Sequence, residues 1–221
     1  METAIDARVR EPWSLYRMAR TLSDAGHVHL AYAAAGRLMA AVPSNVPATA
    51  AAAIARLAYP APWADQVQYY AEQYNIDPLL VYSMMRQESA FNPVAGSSAS
   101  ARADSPPGHA GDGAGDRAGA GQDAPFTFTD LARPVVAIQF GAYYLGTRVH
   151  GFGGNIYQAL AAYNGGPGNA ARWMQATGSG GADVDRFYEE VDYSETRLYL
   201  RTVLQNYAWY RYLYGAATAP P

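Results

Sequence analysis

Apolar positions along this chain recur every three or four residues, and no stretch alternates apolar with polar for more than a few residues, so the pattern predicts an all-α protein. From residue 1 to about 58 it predicts two or three short Ala-rich helices, with Tyr16, Leu30, Leu38 and Met39 as apolar anchors. The prolines of YPAPW, residues 59–63, then break the helical pattern and read as a hinge between two units. Beyond it Val67, Tyr70, Ala71 and Tyr74 fall at helical spacing. NIDP supplies a turn, with Asp77 as N-cap and Pro78 in the first position of the next helix. Pro134 opens a longer helix with Ile138, Ala142, Leu145 and Val149 on its apolar face, closed by GFGGN. Asn155 caps a short one carrying Ile156, Ala159, Leu160 and Tyr163, stopped by NGGPG. The last helix is predicted from an N-cap at Ser194, with Leu200, Val203, Leu204, Tyr207 and Tyr214 as its stripe.

One position breaks the pattern. In the helix after Pro78, within MMRQESAFNP, Leu80, Val81 and Met84 precede Glu88 by eight, seven and four residues, which places all four side chains on one face. A carboxyl group held against apolar neighbours has its charged form disfavoured, and general acid catalysis near neutral pH needs a carboxyl that keeps its proton. Asn92-Pro93 is expected to end the helix just beyond the acid, because the residue before proline avoids helical dihedrals. One reading of Glu88 is therefore an acid at the tip of a rigid element, where a cleft can open. The other is a rim residue, or a partner for Arg86 or another cation.

Composition narrows the chemistry. The 221 residues, half of them apolar, suffice for one well-buried domain with a smaller element. Sixteen Lys and Arg stand against 19 Asp and Glu, so no basic field points to nucleic acid or an anionic membrane. The absence of cysteine excludes disulfides, thiolate metal sites and cysteine nucleophiles. His27 and His29, two apart, point to different sides of a helix and make a poor metal pair, so neither a metal nor a cofactor is expected. Tyrosine is abundant, 18 residues against 6 Phe and 4 Trp, and its flat face with a hydroxyl suits half-wet cores and the stacking of sugar rings. The opening METAIDARVREPW has charges of both signs and no apolar core, unlike a secretory signal. The Ala-rich run from Leu38 to Ala55 is interrupted by Pro43 and Pro47 and is not expected to span a bilayer.

Three segments, in this order, carry a family likeness: IDPLLVYSMMRQESAFNPVAGSSASA, NIYQALAAYNGGPGNAARWM and YSETRLYLRTVLQNYAWYRYLYG. Together they resemble the catalytic domain of the soluble lytic transglycosylases, relatives of goose-type lysozyme. E-S-x-F-N-P at a helix end, followed by A-Y-N-x-G-P and then S-E-T-R, is specific as a set. The resemblance implies a lysozyme-like helical catalytic domain over residues 63–215, preceded at 1–62 by the end of a superhelical region. It implies that Glu88 acts alone, first as acid and then as base, on the bond between N-acetylmuramic acid and N-acetylglucosamine in peptidoglycan, giving 1,6-anhydro ends without consuming water. Carried over by position, Ser97 would reach the sugar near its acetamido group. Tyr163 and Asn164 would line the cleft, with Gly165 and Gly166 letting backbone approach the substrate. Tyr193 and Glu195 would be subsite or structural residues, and Arg197 an ion-pair partner. The implied partner is the glycan strand of peptidoglycan, and the implied location the cell envelope, periplasmic or extracellular.

One segment departs from the family. From Ala95 to Pro125 there is no Val, Ile, Leu, Met, Phe, Tyr or Trp, where the family carries G-L-M-Q and a helix with P-x-T-A. Such a composition cannot bury apolar surface, and a disordered insert over 97–125 is expected. Its return to pattern at FTFTDL fits a compensated one-nucleotide shift of frame, and the nucleotides across residues 99–126 decide between that and a genuine insert. Read as written, the groove lacks one wall and turnover should be weak. Three classes then compete: a lytic transglycosylase, a hydrolytic lysozyme of the same fold, and a catalytically impaired peptidoglycan-binding protein.

Overall fold

The computed structural model describes residues 11–43, 45–92, 133–178, 181 and 183–215. Among them are ten helices and no strand: α1 (Pro12–Asp24), α2 (Val28–Ala41), α3 (Ala48–Ala58), α4 (Ala64–Gln73), α5 (Pro78–Ser89), α6 (Pro134–Gly151), α7 (Ile156–Gly165), α8 (Pro167–Ala176), α9 (Val184–Glu190) and α10 (Ser194–Tyr214). The apolar-free stretch from Ala95 to Pro125, Ser97 included, lies outside the described residues.

Local chemistry starts most of these helices where the pattern places them. Asp77 Oδ1 accepts from the Leu79 amide at 2.8 Å, and Pro78 needs no partner for the N–H it lacks. Asn155 Oδ1 accepts from the amides of Tyr157 and Gln158 at 3.1 and 3.2 Å. Pro134 opens α6, and its four expected apolar positions are all buried. The central helix is α7, where Gln158, Ala159, Leu160, Ala161 and Ala162 are buried in succession. A helix buried all round needs a nearly continuous apolar sequence, and IYQALAAY supplies one. Helices α6, α8 and α10 pack around it, and α10 also runs along α5.

Several expectations are corrected. The core of α1 and α2 is built from Leu15, Ala19, Ala31, Ala34, Ala35 and Leu38, whereas Met39 is exposed and Tyr16 and Leu30 are half-buried. Alanine lets the helix pair approach closely, so the small residues take the inner face. YPAPW does break the helix, but three hydroxyls tie it down: Tyr214 donates to the Tyr59 carbonyl at 2.8 Å, Tyr210 to Pro60 at 2.8 Å and Tyr82 to Pro62 at 3.0 Å. These bonds strap the crossing to α5 and α10. Ser194 is the first residue of α10, and the cap position belongs to Tyr193, with no side-chain bond. The buried face of α10 is Thr196, Tyr199, Leu200, Val203, Asn206, Tyr210 and Leu213; of the expected stripe Leu200 and Val203 lie on it, whereas Leu204, Tyr207 and Tyr214 are half-buried beside it. Two helices are unpredicted: α8 buries only Ala170 and Trp173, and the seven residues of α9 bury only Phe187, too little for a period to show.

The end of α5 also differs. The helix stops at Ser89, three residues before Asn92, through Ala90 (φ 49°) and Phe91 (φ 60°), both left-handed. Each left-handed L-residue costs about 1–2 kcal/mol. Burial of Phe91, 2% exposed, is worth about 1.5–3 kcal/mol and offsets most of that cost.

Candidate active site

Glu88 lies in the last turn of α5, half-buried, above Leu80, Val81 and Met84, which are buried as the spacing predicts. From α10 the hydroxyl of Tyr199, itself 5% exposed, donates to Glu88 Oε1 at 2.8 Å. Tyr163, near the end of α7, stacks parallel to Tyr199 with centroids 6.4 Å apart. Tyr144 of α6 meets Tyr163 edge-on at 4.9 Å, and the Arg148 guanidinium covers Tyr144 at 4.2 Å. Side chains of four helices thus form one connected cluster, in which a buried phenol orients the Glu88 carboxyl group. A carboxyl so oriented can deliver or accept a proton in a set direction.

The rival reading of Glu88 as a partner of Arg86 is not what the structure builds. Arg86 Nε donates to the Ala58 carbonyl at 3.3 Å, one terminal nitrogen donates to Asn206 Oδ1 at 2.6 Å, and the guanidinium lies over Tyr59 at 4.2 Å. Residues two apart on a helix face different sides, and here they do.

The other expected site residues divide. Tyr163 belongs to the Glu88 cluster. Asn164, next to it, accepts on Oδ1 from Thr196 Oγ1 at 2.7 Å, which fixes the amide and turns its NH2 away from that contact. Gly165 has a packing reason to be glycine: a Cβ there would sit 2.7 Å from Cη2 of the fully buried Trp173. Its carbonyl is also taken, by Asn169 Nδ2 at 2.8 Å. Gly166 carries the positive φ, 88°, that turns the chain from α7 into α8. Tyr193, half-exposed, rests edge-on against Trp173 at 5.4 Å, and Glu195 is exposed one turn before Tyr199. Ser97 lies outside the described residues.

Arg197 was expected to form an ion pair; the pair in this region joins Arg172 to Asp192 instead, through two contacts of 2.9 Å. Trp173 Nε1 donates to the same Asp192 Oδ1 at 2.7 Å. The Arg172 bond, then that of Trp173, holds the Asp192 carboxyl below the usual carboxylate range, and Asp192 in turn raises Arg172.

Tyr199 and Tyr144 are the residues that sequence reasoning missed. Tyr199 shares a face with Thr196, Leu200 and Val203, so by pattern it reads as core. Its partner Glu88 is 111 residues away in the chain, a pairing no local signal carries. Among the described residues no three His, Asp or Glu side chains converge to hold a metal, and no helix is long and apolar enough to cross a membrane.

Known proteins resemble this chain in sequence and in fold. Residues 65–185 match the family model described as Transglycosylase SLT domain. The soluble lytic murein transglycosylase of Escherichia coli K12 is 33% identical over 159 residues, which is 71% of this chain and 24% of that protein. The chain therefore spans about a quarter of the length of that relative. Among solved structures, the 70 kDa soluble lytic transglycosylase SLT70 of Escherichia coli superposes with a TM-score of 0.73 at 25% identity, covering 94% of this chain and 32% of that one. An inactive glutamate-to-glutamine mutant of the lytic transglycosylase Slt from Pseudomonas aeruginosa gives a TM-score of 0.66 at 23% identity, covering 97% of this chain and 32% of that one.

Proposed function

Because the chain belongs to the Transglycosylase SLT domain family, we infer that it is a peptidoglycan lytic transglycosylase with residues 63–215 as its catalytic unit and Glu88 as the single acid and base. The observation that carries the reading is Glu88 itself: a half-buried carboxyl at a helix tip, oriented by Tyr199, with the stacked rings of Tyr199 and Tyr163 beside it. Glu88 gives its proton to the oxygen bridging N-acetylmuramic acid and N-acetylglucosamine as the muramic C1–O bond breaks. The substrate's acetamido oxygen supports the positive centre at C1. The carboxylate then takes the proton of the muramic 6-hydroxyl as that oxygen closes on C1, giving a 1,6-anhydro end and restoring the acid. One carboxyl does both transfers, so the paired carboxylates of ordinary glycosidases are not required.

Tyr163 offers a flat apolar face of the kind that stacks on a sugar ring. Asn164 and Tyr193 are binding residues in this reading, Glu195 lies at the edge of the site, and Ser97 would contact the acetamido group. The glycan strand of peptidoglycan is the partner, which places the protein in the cell envelope. The relative from Escherichia coli K12, described as a soluble lytic murein transglycosylase, supports the same substrate class.

Digestion of purified murein sacculi by the full chain and by Glu88→Gln tests this. The expected result is anhydro-muropeptides from the unmutated protein and a loss of about 10²–10⁴-fold in the variant, the usual worth of a general acid. Reducing ends in the product would instead select hydrolysis on the same fold. Retained binding to sacculi with no product would select a glycan-binding protein.

A further inference from the structure

Helices outside the proposed catalytic unit hold the end of α5. Glu88 is followed by two left-handed residues, Ala90 and Phe91, neither of them glycine. From α2, His29 Nδ1 lies 3.0 Å from the Ala90 carbonyl oxygen. A carbonyl only accepts, so Nδ1 carries the proton and donates. Three residues along the same face of α2, Tyr32 meets the buried Phe91 ring edge-on at 5.9 Å. The other side of the acid is gripped as well. The Arg86 guanidinium lies 5.1 Å from the Tyr32 ring centroid and 4.2 Å from that of Tyr59. Its Nε bonds the carbonyl of Ala58, the last residue of α3, an acceptor left over at a helix end. A terminal nitrogen reaches Asn206 on α10, the helix that also supplies Tyr199.

We propose that the helical segment of residues 27–60 is a positioning element for Glu88, acting through His29 on the turn at Ala90 and Phe91 and through Arg86 on the last turn of α5. The proposal rests on Glu88 being the acid. The last turn of a helix frays because its carbonyls lack intrahelical partners, and two left-handed non-glycine residues tend to relax when nothing holds them. Glu88 sits between the two grips, one turn or less from each. A shift of its carboxyl by a fraction of an ångström moves the proton away from a glycosidic oxygen without altering any group that binds the sugar. Loss of the grip should therefore lower kcat and leave KM in place.

The variants are His29→Leu, of similar size without a donor, and His29→Asn, whose amide nitrogen takes the place of Nδ1, both in the full chain. Two readouts are needed: kcat and KM on sacculi, and hydrogen exchange of the Ala90 and Asn92 amides, which bond the Arg86 and Ser89 carbonyls at 3.2 and 2.9 Å. In His29→Leu, exchange at both amides should rise about ten-fold. Its kcat should fall about ten-fold at constant KM, and His29→Asn should restore both. Unmutated exchange and kcat in His29→Leu, or an equal deficit in His29→Asn, overturns the proposal. Should His29→Leu fail to fold, Arg86→Lys keeps the charge but loses the Nε bond to Ala58; values equal to the unmutated protein then overturn it. If Glu88→Gln proves as active as the unmutated chain, the catalytic reading falls, and the exchange data still decide whether residues 27–60 hold the turn.

Discussion

Around Glu88, the rings of Tyr144, Tyr163 and Tyr199 stand in series, and the last turns its hydroxyl to a carboxylate. In the seam where α10 meets α5 and residues 59–62, Tyr82, Tyr210 and Tyr214 turn theirs to backbone carbonyls. Rings contact rings in both places: Tyr82 stacks on Tyr210 at 5.6 Å and Tyr210 on Tyr214 at 5.9 Å in the seam, as Tyr163 stacks on Tyr199 beside Glu88. What separates the regions is the acceptor. A carbonyl has no proton to exchange, so a phenol bonded to it can only fasten chain to chain. A carboxyl can change its proton, so a phenol bonded to one in a cleft can bear on chemistry, whereas Tyr207, which donates to the Asp77 cap, fastens α10 to the start of α5. Abundant tyrosine in this sequence therefore serves two ends, told apart by the partner of each hydroxyl together with where that partner sits.

Substitution in the seam gives the largest expected effect on stability. Tyr210 is fully buried, and Tyr210→Ala should cost about 3–5 kcal/mol through the cavity it leaves. Denaturant unfolding measures that loss. Tyr210→Phe keeps the packing and isolates the bond to Pro60, worth about 1 kcal/mol. Tyr199→Phe should behave in the opposite way. Its ring is kept, unfolding should change by no more than about 1 kcal/mol, and turnover on sacculi should drop about ten-fold as the carboxyl loses its orientation. A Tyr199→Phe protein that unfolds early yet turns over normally would erase the distinction between the two regions.

Alkaline titration sharpens the comparison further. Burial pushes the Tyr82, Tyr210 and Tyr214 phenols above their ordinary value. Tyr207, half-buried and bonded to the Asp77 cap, is pushed up to about 12 by partial burial and then by that bond. Each folded value lies above the unfolded one of about 10. The stability linked to these groups is thus whole below about pH 10 and is lost as pH rises through the folded values. Tyrosinate absorbance should rise late and together with loss of helix, not group by group. The smallest effect belongs to Asp192. Its folded value is lowered, so its contribution is present above the unfolded value of about 4 and is lost as pH falls through the folded one. Asp192→Asn should remove a small part of the acid limb of the stability curve, because the pair with Arg172 is half in solvent.

Much of the helical framework was legible because local chemistry encodes it. Asp77-Pro78, Pro134 and Asn155 start helices by satisfying or omitting the first amide donors, and the aliphatic spacing of α6 shows which face turns inward. Glu88 stood out for the same reason, as a carboxyl on an apolar stripe. The end of α5 was not legible, since two left-handed residues without glycine persist only where a partner holds them, and that partner, Tyr32 with His29, comes from α2. Nor was the reason for Gly165, which lies in a tryptophan ring eight residues on that folds back beneath it.

The sequence by itself determined an all-helical chain, the starts of its main helices and the one carboxyl group out of keeping with its surroundings, because each depends on neighbours within a few residues. Only the tertiary structure decided what surrounds that carboxyl. Tyr199 reaches it from 111 residues away, and His29 and Arg86 brace its helix through α2, α3 and α10. Contacts of that kind depend on how helices cross, which side-chain volume and hydrogen-bond demand settle jointly over the whole core.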